Sequence, residues 1–227
     1  MASVTVVIPS HDRSHLLRRA ILSALSADEV IVYDDCSLDD SVAVAESMNV
    51  RVILAEECCG SPSAAINYAI ANATSDWLMV LADDDFLLPD AIAKVKQYLS
   101  ESADLMYTDL YLCDDDGTIR GLWEYSDRPQ QPDELVEFVR QHRMNPIPML
   151  GPWRVDWLRE NSLCFVKWPG TGVADDCRTF LEWARHDPRI VHIAEPLYAY
   201  RQHSGQLSHL DKSVYLEQLD AYLRGLE

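Results

Sequence analysis

The chain has 227 residues, 48% of them hydrophobic, with 19 Lys and Arg set against 37 Asp and Glu for a formal charge of −18. Such acidity excludes a protein built to grip nucleic acid, whose phosphate contacts need a basic surface, and it repels anionic lipid surfaces too. A nucleotide ligand stays admissible, because one metal ion and a few local cations suffice to hold a diphosphate inside an acidic protein.

Val4 to Ile8 reads as a strand of continuous apolar and β-branched residues, Pro9 to Ser14 as a polar loop, and His15 to Leu25 as a helix. Glu29 to Tyr33 is a second strand ending at Asp34 and Asp35, and Asp40 to Met48 a helix. Arg51 to Leu54 is a third strand, Ser63 to Asn72 a helix and Trp77 to Leu81 a fourth strand. Pro89 opens a helix running to Leu99, and Asp104 to Leu112 is a strand. Short, doubly buried strands alternating with helices predict an open, largely parallel α/β sheet. Ligands bind such sheets at the carboxyl ends of the strands, which singles out the loops after Ile8, Tyr33 and Leu81.

The loop after Leu81 carries Asp83, Asp84 and Asp85. Three adjacent carboxylates oppose each other's ionisation, and a divalent cation bridging them to a phosphate turns that repulsion into binding. A second triplet, Asp114 to Asp116, precedes Gly117 between two strands and reads as a solvated hairpin turn before Thr118 to Leu122. No glycine-rich dinucleotide fingerprint or P-loop is present, which removes the main support for redox and P-loop chemistry.

From Trp123 to Trp157 five prolines break the pattern, and only Asp133 to His142 looks helical. The stretch reads as a substrate wall beside the sheet or as plain packing, with Trp123, Trp153 and Trp157 able to stack on sugar faces or fill core. Asp175 to His186 is a further helix, Arg189 to Tyr200 contains a strand, and Ser213 to Leu226 is an amphipathic helix. The six cysteines show no Cys-x-x-Cys spacing, and neither a charged, apolar leader nor a bilayer-spanning run appears. These features predict a cytoplasmic protein with reduced thiols; peripheral membrane association through a partner is compatible with them.

Val6-Val7-Ile8-Pro9-Ser10-His11-Asp12, Val32-Tyr33-Asp34-Asp35-Cys36-Ser37-Leu38-Asp39 and Leu81-Ala82-Asp83-Asp84-Asp85-Phe86-Leu87-Leu88-Pro89 together resemble the nucleotide-sugar-binding half of the inverting glycosyltransferase family 2. The likeness continues through Ala65-Ile66-Asn67, Asp175-Asp176-Cys177-Arg178 and the segment Tyr200 to Ser208. It implies an α/β fold of GT-A type: a Rossmann-like, mostly parallel central sheet flanked by helices, with a smaller acceptor-binding portion. Residues 1–113 would form the nucleotide-sugar half and residues 114–227 the acceptor half of one continuous domain. The implied activity is metal-dependent transfer of a sugar from a nucleoside diphosphate sugar, UDP or dTDP favoured, to a hydroxyl of a saccharide or glycoconjugate acceptor. The implied cofactor is Mn2+ or Mg2+.

Residue by residue, the resemblance implies that Pro9, Ser10, His11, Asp12 and Asp35 surround the base and ribose, with Asp35 accepting from a uracil-type N–H. Asp34 would shape that loop, His11 would stack near the base, and Asn67 would belong to the donor site. Asp83 would serve the ribose or the metal's surroundings, Asp84 would ligate the metal and Asp85 would assist; Ala82 stands where the family's first acid commonly stands. Asp176 resembles the general base, with Asp175 as its cap or its alternative. The helix start after Gly170-Thr171-Gly172 is expected to lower the Asp176 pKa. His203 and Arg201, at the start of a segment resembling the family's closing loop, would approach the diphosphate or the metal, and Arg178 would pair with an acid of its own helix. A nucleotide-sugar-binding protein without turnover and a nucleotidyltransferase are the alternatives.

Overall fold

In the computed structural model residues 2–99, 102–128, 130–167, 175–203 and 213–225 are described. The expectations placed on residues 170–172 and 204–208 lie outside them.

Strand β1 (Val4–Ser10) is buried along nearly all its length, as its unbroken apolar run requires. Helix α1 (Ser14–Ala24) places Leu17, Ala20, Ile21 and Ala24 on one stripe against the sheet. β2 (Glu29–Asp34), α2 (Ser41–Glu46), β3 (Arg51–Leu54), α3 (Ser63–Asn72) and β4 (Trp77–Val80) complete the alternation. β5 (Phe86–Leu87), α4 (Ala91–Tyr98), β6 (Leu105–Cys113), β7 (Ile119–Trp123) and α5 (Pro132–His142) follow. β8 (Trp153–Arg154), α6 (Val155–Glu160), α7 (Asp175–Ala184), β9 (Ile190–Arg201) and α8 (Ser213–Arg224) close the chain order.

One sheet runs β3-β2-β1-β4-β8-β6-β9-β5, with β7 paired to β6. The pairs β1–β2, β1–β4, β2–β3 and β6–β9 are parallel, whereas β8, β5 and β7 join antiparallel. The sheet is therefore mixed, and it takes strands from both sides of residue 113.

Three elements depart from the sequence reading. The helix expected from Pro89 starts only at Ala91, because Asp90 is left-handed at φ 62°, and the preceding Phe86–Leu87 pairs with β9. The proline-broken stretch contributes β8 and α6, whose Trp153 and Trp157 are buried. Trp153 pairs with Leu78 of β4 and Leu105 of β6, filling the centre of the sheet. Both tryptophans meet Trp183 edge-on, so both are core. The thiols also differ, since Cys36 and Cys58 form a disulfide.

Gly151 makes the β8 insertion possible. Its φ is +84°, and a Cβ there would sit 2.5 Å from the Leu78 carbonyl oxygen and 3.1 Å from Met79 Cα, both backbone. Gly151→Ala is expected to cost about 2 kcal/mol from the left-handed backbone alone, and the clash adds to it. Urea unfolding checks this; an unshifted midpoint overturns it.

Candidate active site

The carboxyl ends of β1, β2 and β4 open onto a cavity of about 400 Å3 that Pro9, Ser10, His11, Arg13, Asp35, Ser61, Asp83, Asp84, Asp175, Asp176 and Tyr200 help to line. The acidic loop is fixed before any ligand arrives: Leu81 N donates to Val7 O at 2.9 Å and Asp85 N to Ala82 O at 3.1 Å. Ala82 N donates to the Tyr198 hydroxyl at 3.0 Å.

The three acids then part company. Asp83 accepts from His11 N at 3.1 Å. The Arg13 guanidinium spans Asp83 Oδ1 at 2.9 Å and Asp84 Oδ2 at 2.8 Å. His203 Nε2 lies 3.0 Å from the same Asp84 oxygen. Asp85 turns toward β9, accepting from the Tyr198 hydroxyl at 2.8 Å and from Arg201 N at 2.7 Å. Burial pushes the Asp83 carboxyl up to about 6 against the pull of Arg13. Burial, reinforced by the Asp84 carboxylate, also raises Asp85. Arg201 is itself buried; its Nε donates to Asp84 O at 2.5 Å and its Nη1 to Asp115 O. It braces the backbone of the acidic loop. The second triplet, Asp114 to Asp116, makes the expected turn, with Gly117 N donating to Asp114 O at 2.8 Å and Thr118 N to Asp116 Oδ1 at 2.8 Å.

At the β2 end, Asp35 receives Cys59 N and Gly60 N, each at 2.6 Å, one on each oxygen. A carboxylate oxygen has two acceptor sites, so Asp35 keeps capacity toward the cavity it lines. Asp34 accepts from Ser37 N at 2.9 Å and so shapes its own loop. Asp12 does the same for the neighbouring turn, accepting from Leu38 N at 2.6 Å and Asp39 N at 3.2 Å. The His11 ring joins the two loops through Nδ1, 2.8 Å from Asp35 O. Ser10 Oγ is buried and has no hydrogen-bond partner among the described residues. Asn67 is placed differently from the donor role assigned to it: both ends of its amide pair with the backbone of Phe165, at 2.9 and 2.6 Å.

Across the cavity, α7 begins with Asp175 and Asp176. Asp175 is buried and accepts from the Ser61 hydroxyl. Asp176 accepts from Asn145 Nδ2 at 3.0 Å and from Cys177 N at 2.8 Å. Burial raises the Asp176 carboxyl and outweighs these two donors. The expectation of a lowered pKa at the helix start is corrected accordingly, because loss of hydration exceeds what one terminal N–H restores. Arg178 stacks over Tyr222, 5.5 Å from the ring centroid.

Arg13, Ser61, Asn145 and Tyr198 were not predicted as site residues. Arg13 alone had a local signal, as a cation in the first strand's loop. The other three meet the acids only through the tertiary fold.

The sequence profile described as "Glycosyl transferase family 2" matches residues 5–147, more than half of the chain. The chain belongs to glycosyl transferase family 2. This family 2 member is 37% identical over 100 residues to the succinoglycan biosynthesis protein ExoU of Rhizobium meliloti, a match covering 40% of this chain and 29% of that one. Its fold matches a crystal structure of S. aureus TarS 1-349 in complex with UDP-GlcNAc at a TM-score of 0.72 and 19% identity, covering 92% and 61% of the two chains. It also matches glucosyl-3-phosphoglycerate synthase of Mycobacterium tuberculosis in complex with Mn2+, UDP and phosphoglyceric acid at a TM-score of 0.63 and 18% identity, covering 99% and 78%. At these identities the solved structures establish the GT-A-like fold of a family 2 domain. The family 2 chain spans between 23% and 29% of the length of four curated relatives. No helix among its described residues is long and apolar enough to cross a membrane.

Proposed function

We propose that this family 2 chain transfers a sugar from a nucleoside diphosphate sugar to an acceptor hydroxyl, with residues 1–113 gripping the donor and residues 114–227 the acceptor. The observation that carries the reading is the meeting of Asp35, Asp83, Asp84 and Asp176 in one cavity, although they come from two separate loops and a helix start. Asp35 and the unpartnered Ser10 Oγ suit a pyrimidine nucleoside, with His11 beside them.

Among the described residues, no group of three or more His, Cys, Asp or Glu side chains is arranged to hold a metal. The residues nevertheless fit a hard dication held jointly with the diphosphate. Asp84 and the adjoining His203 supply part of a shell, Asp83 is close by, and a guanidinium already rests between the two carboxylates, so the place favours positive charge. Mn2+ or Mg2+ bound there would neutralise charge on the leaving diphosphate. Asp85, spent on Tyr198 and Arg201, holds the loop in shape.

Asp176 takes the proton of the acceptor hydroxyl as that oxygen attacks the anomeric carbon. Its raised pKa makes it a stronger base than a solvated carboxylate, and Asn145 fixes the plane of its carboxyl group. Attack from the side opposite the diphosphate inverts the anomeric configuration. The lack of a glycine-rich triphosphate loop disfavours nucleotidyl transfer, and a well-placed Asp176 disfavours binding without turnover.

A thermal-shift screen of UDP, dTDP, GDP and their sugars, with and without Mn2+, tests the donor half. Stabilisation that needs nucleotide and metal together is expected, about 3 kcal/mol at a hundredfold excess over Kd. Absence of any joint effect overturns the reading.

A further inference from the structure

The strands β6 and β7 continue the sheet outward from Tyr200 of β9. Leu110 pairs with Trp123 on one side and Tyr198 on the other, while Leu112 pairs with Gly121 and Tyr200. Residues opposite one another on neighbouring strands, and those two apart along a strand, project to the same face. Trp123 therefore shares a face with Tyr198, whose hydroxyl meets Asp85, and with Tyr200, which lines the cavity together with Asp176.

Trp123 differs from the other two tryptophans of its stretch in being 37% exposed. Its indole is stacked on Tyr125, with centroids 5.8 Å apart and planes at 8°. Tyr125 is buried and crosses Tyr107 edge-on at 6.1 Å, so the exposed indole rests on a fixed support. Two residues before Trp123 on β7, and on the same face, Gly121 leaves open space, because an added Cβ there would meet nothing within 4 Å. The result is a supported indole with open space beside it, on the sheet face that also carries Tyr200.

We propose that this open space is the subsite for the sugar ring of a saccharide acceptor, with Trp123 as the platform on which the ring stacks. The inference rests on the transfer reading and names its acceptor class. A pyranose presents a face of C–H groups that covers an indole, while its edge hydroxyls stay solvated or turn toward Asp176. A platform supported from behind binds without having to be ordered first. Trp123 touches the substrate away from the reacting atoms and sets specificity.

The test uses methyl glycosides of glucose, galactose and N-acetylglucosamine and their short oligosaccharides, read by saturation-transfer NMR and by acceptor KM. Wild type is expected to bind at least one of them, Trp123→Phe to retain binding, and Trp123→Ala to lose ring-proton saturation with KM raised about tenfold. Gly121→Leu, which the open space accommodates, is expected to block the same ligand. All three variants should keep the thermal shift given by nucleotide with Mn2+. Binding that survives both Trp123→Ala and Gly121→Leu, or no binding of any glycoside to wild type, overturns the subsite. If wild type shows no joint nucleotide and metal shift, the transfer reading has failed instead.

Discussion

Asp176→Asn is expected to slow sugar transfer by about 10²- to 10⁴-fold, the range that a positioned general base supplies, while nucleotide and metal binding persist. An amide has the shape of the carboxylate but no basic lone pair to take the hydroxyl proton. Asn145 and Cys177 N–H both donate to this side chain, so an amide keeps one partner through its oxygen and the fold should tolerate it. Single-turnover transfer and nucleotide titration in the presence of Mn2+ separate chemistry from binding. Transfer at the wild-type rate would remove Asp176 from the base role, and lost nucleotide binding would make it part of the donor site. Asp175→Asn is the internal comparison: this acid is committed to Ser61, and its loss should act through the placement of α7.

The second large effect concerns the charge buried at Asp83. Its carboxyl titrates near 3.8 in an ordinary setting and at about 6 here, with burial as the leading cause. Between those values the folded chain holds a proton that the unfolded chain has released. The group's contribution to stability is thus fully present below 3.8 and is lost as pH rises through about 6. The interval is worth about 3 kcal/mol. Asp83→Asn removes the titration. Relative to wild type, the variant should gain about 3 kcal/mol of stability between pH 4 and pH 7 in metal-free buffer. Comparing the two proteins cancels the opposite trend from carboxyls whose pKa is lowered, such as Asp104 beside Arg189 and Arg154. Parallel stability curves from urea unfolding across this range would refute the buried-charge account.

How much of this was legible beforehand depended on whether a signal was local. β3 and α3 match their sequence reading to the residue, each preceded by turn-forming residues, Asn49 before β3 and Gly60 to Pro62 before α3. Asp35 and the Asp83–Asp85 triplet follow the carboxyl ends of β2 and β4 as the sequence reading has them, since the α/β rhythm alone dictates where strands end. The division of labour within the triplet was not legible. Asp85 parts from Asp84 because β9, more than a hundred residues later, brings the Tyr198 hydroxyl and Arg201 N–H to it, while Arg13 and His203 meet the Asp84 carboxylate. The disulfide was hidden for a related reason. Cys36 and Cys58 are 22 residues apart, and only the parallel pairing of β2 with β3 brings the loops that follow these strands together. For Trp153 and Trp157 the sequence leaves sugar contact and core packing both open, because a proline-rich, aromatic stretch suits either; Gly151 lets that stretch enter the sheet and decides for core. The raised pKa at Asp176 was missed because a helix start is visible in sequence and the covering of its first turn is not.

The short segment from Cys58 to Ser63 carries a constraint of its own. Cys58 is crosslinked to the residue after Asp35, Cys59 and Gly60 each hand one N–H to Asp35, and Ser61 holds Asp175. Four consecutive residues thus set the spacing between the β2 end of the cavity and the start of α7. Inserting or deleting one residue there would put two hydrogen-bond registers out of step at once, at opposite ends of the cavity. The segment works as a ruler, and its length should resist change even where the identity of an individual side chain does not.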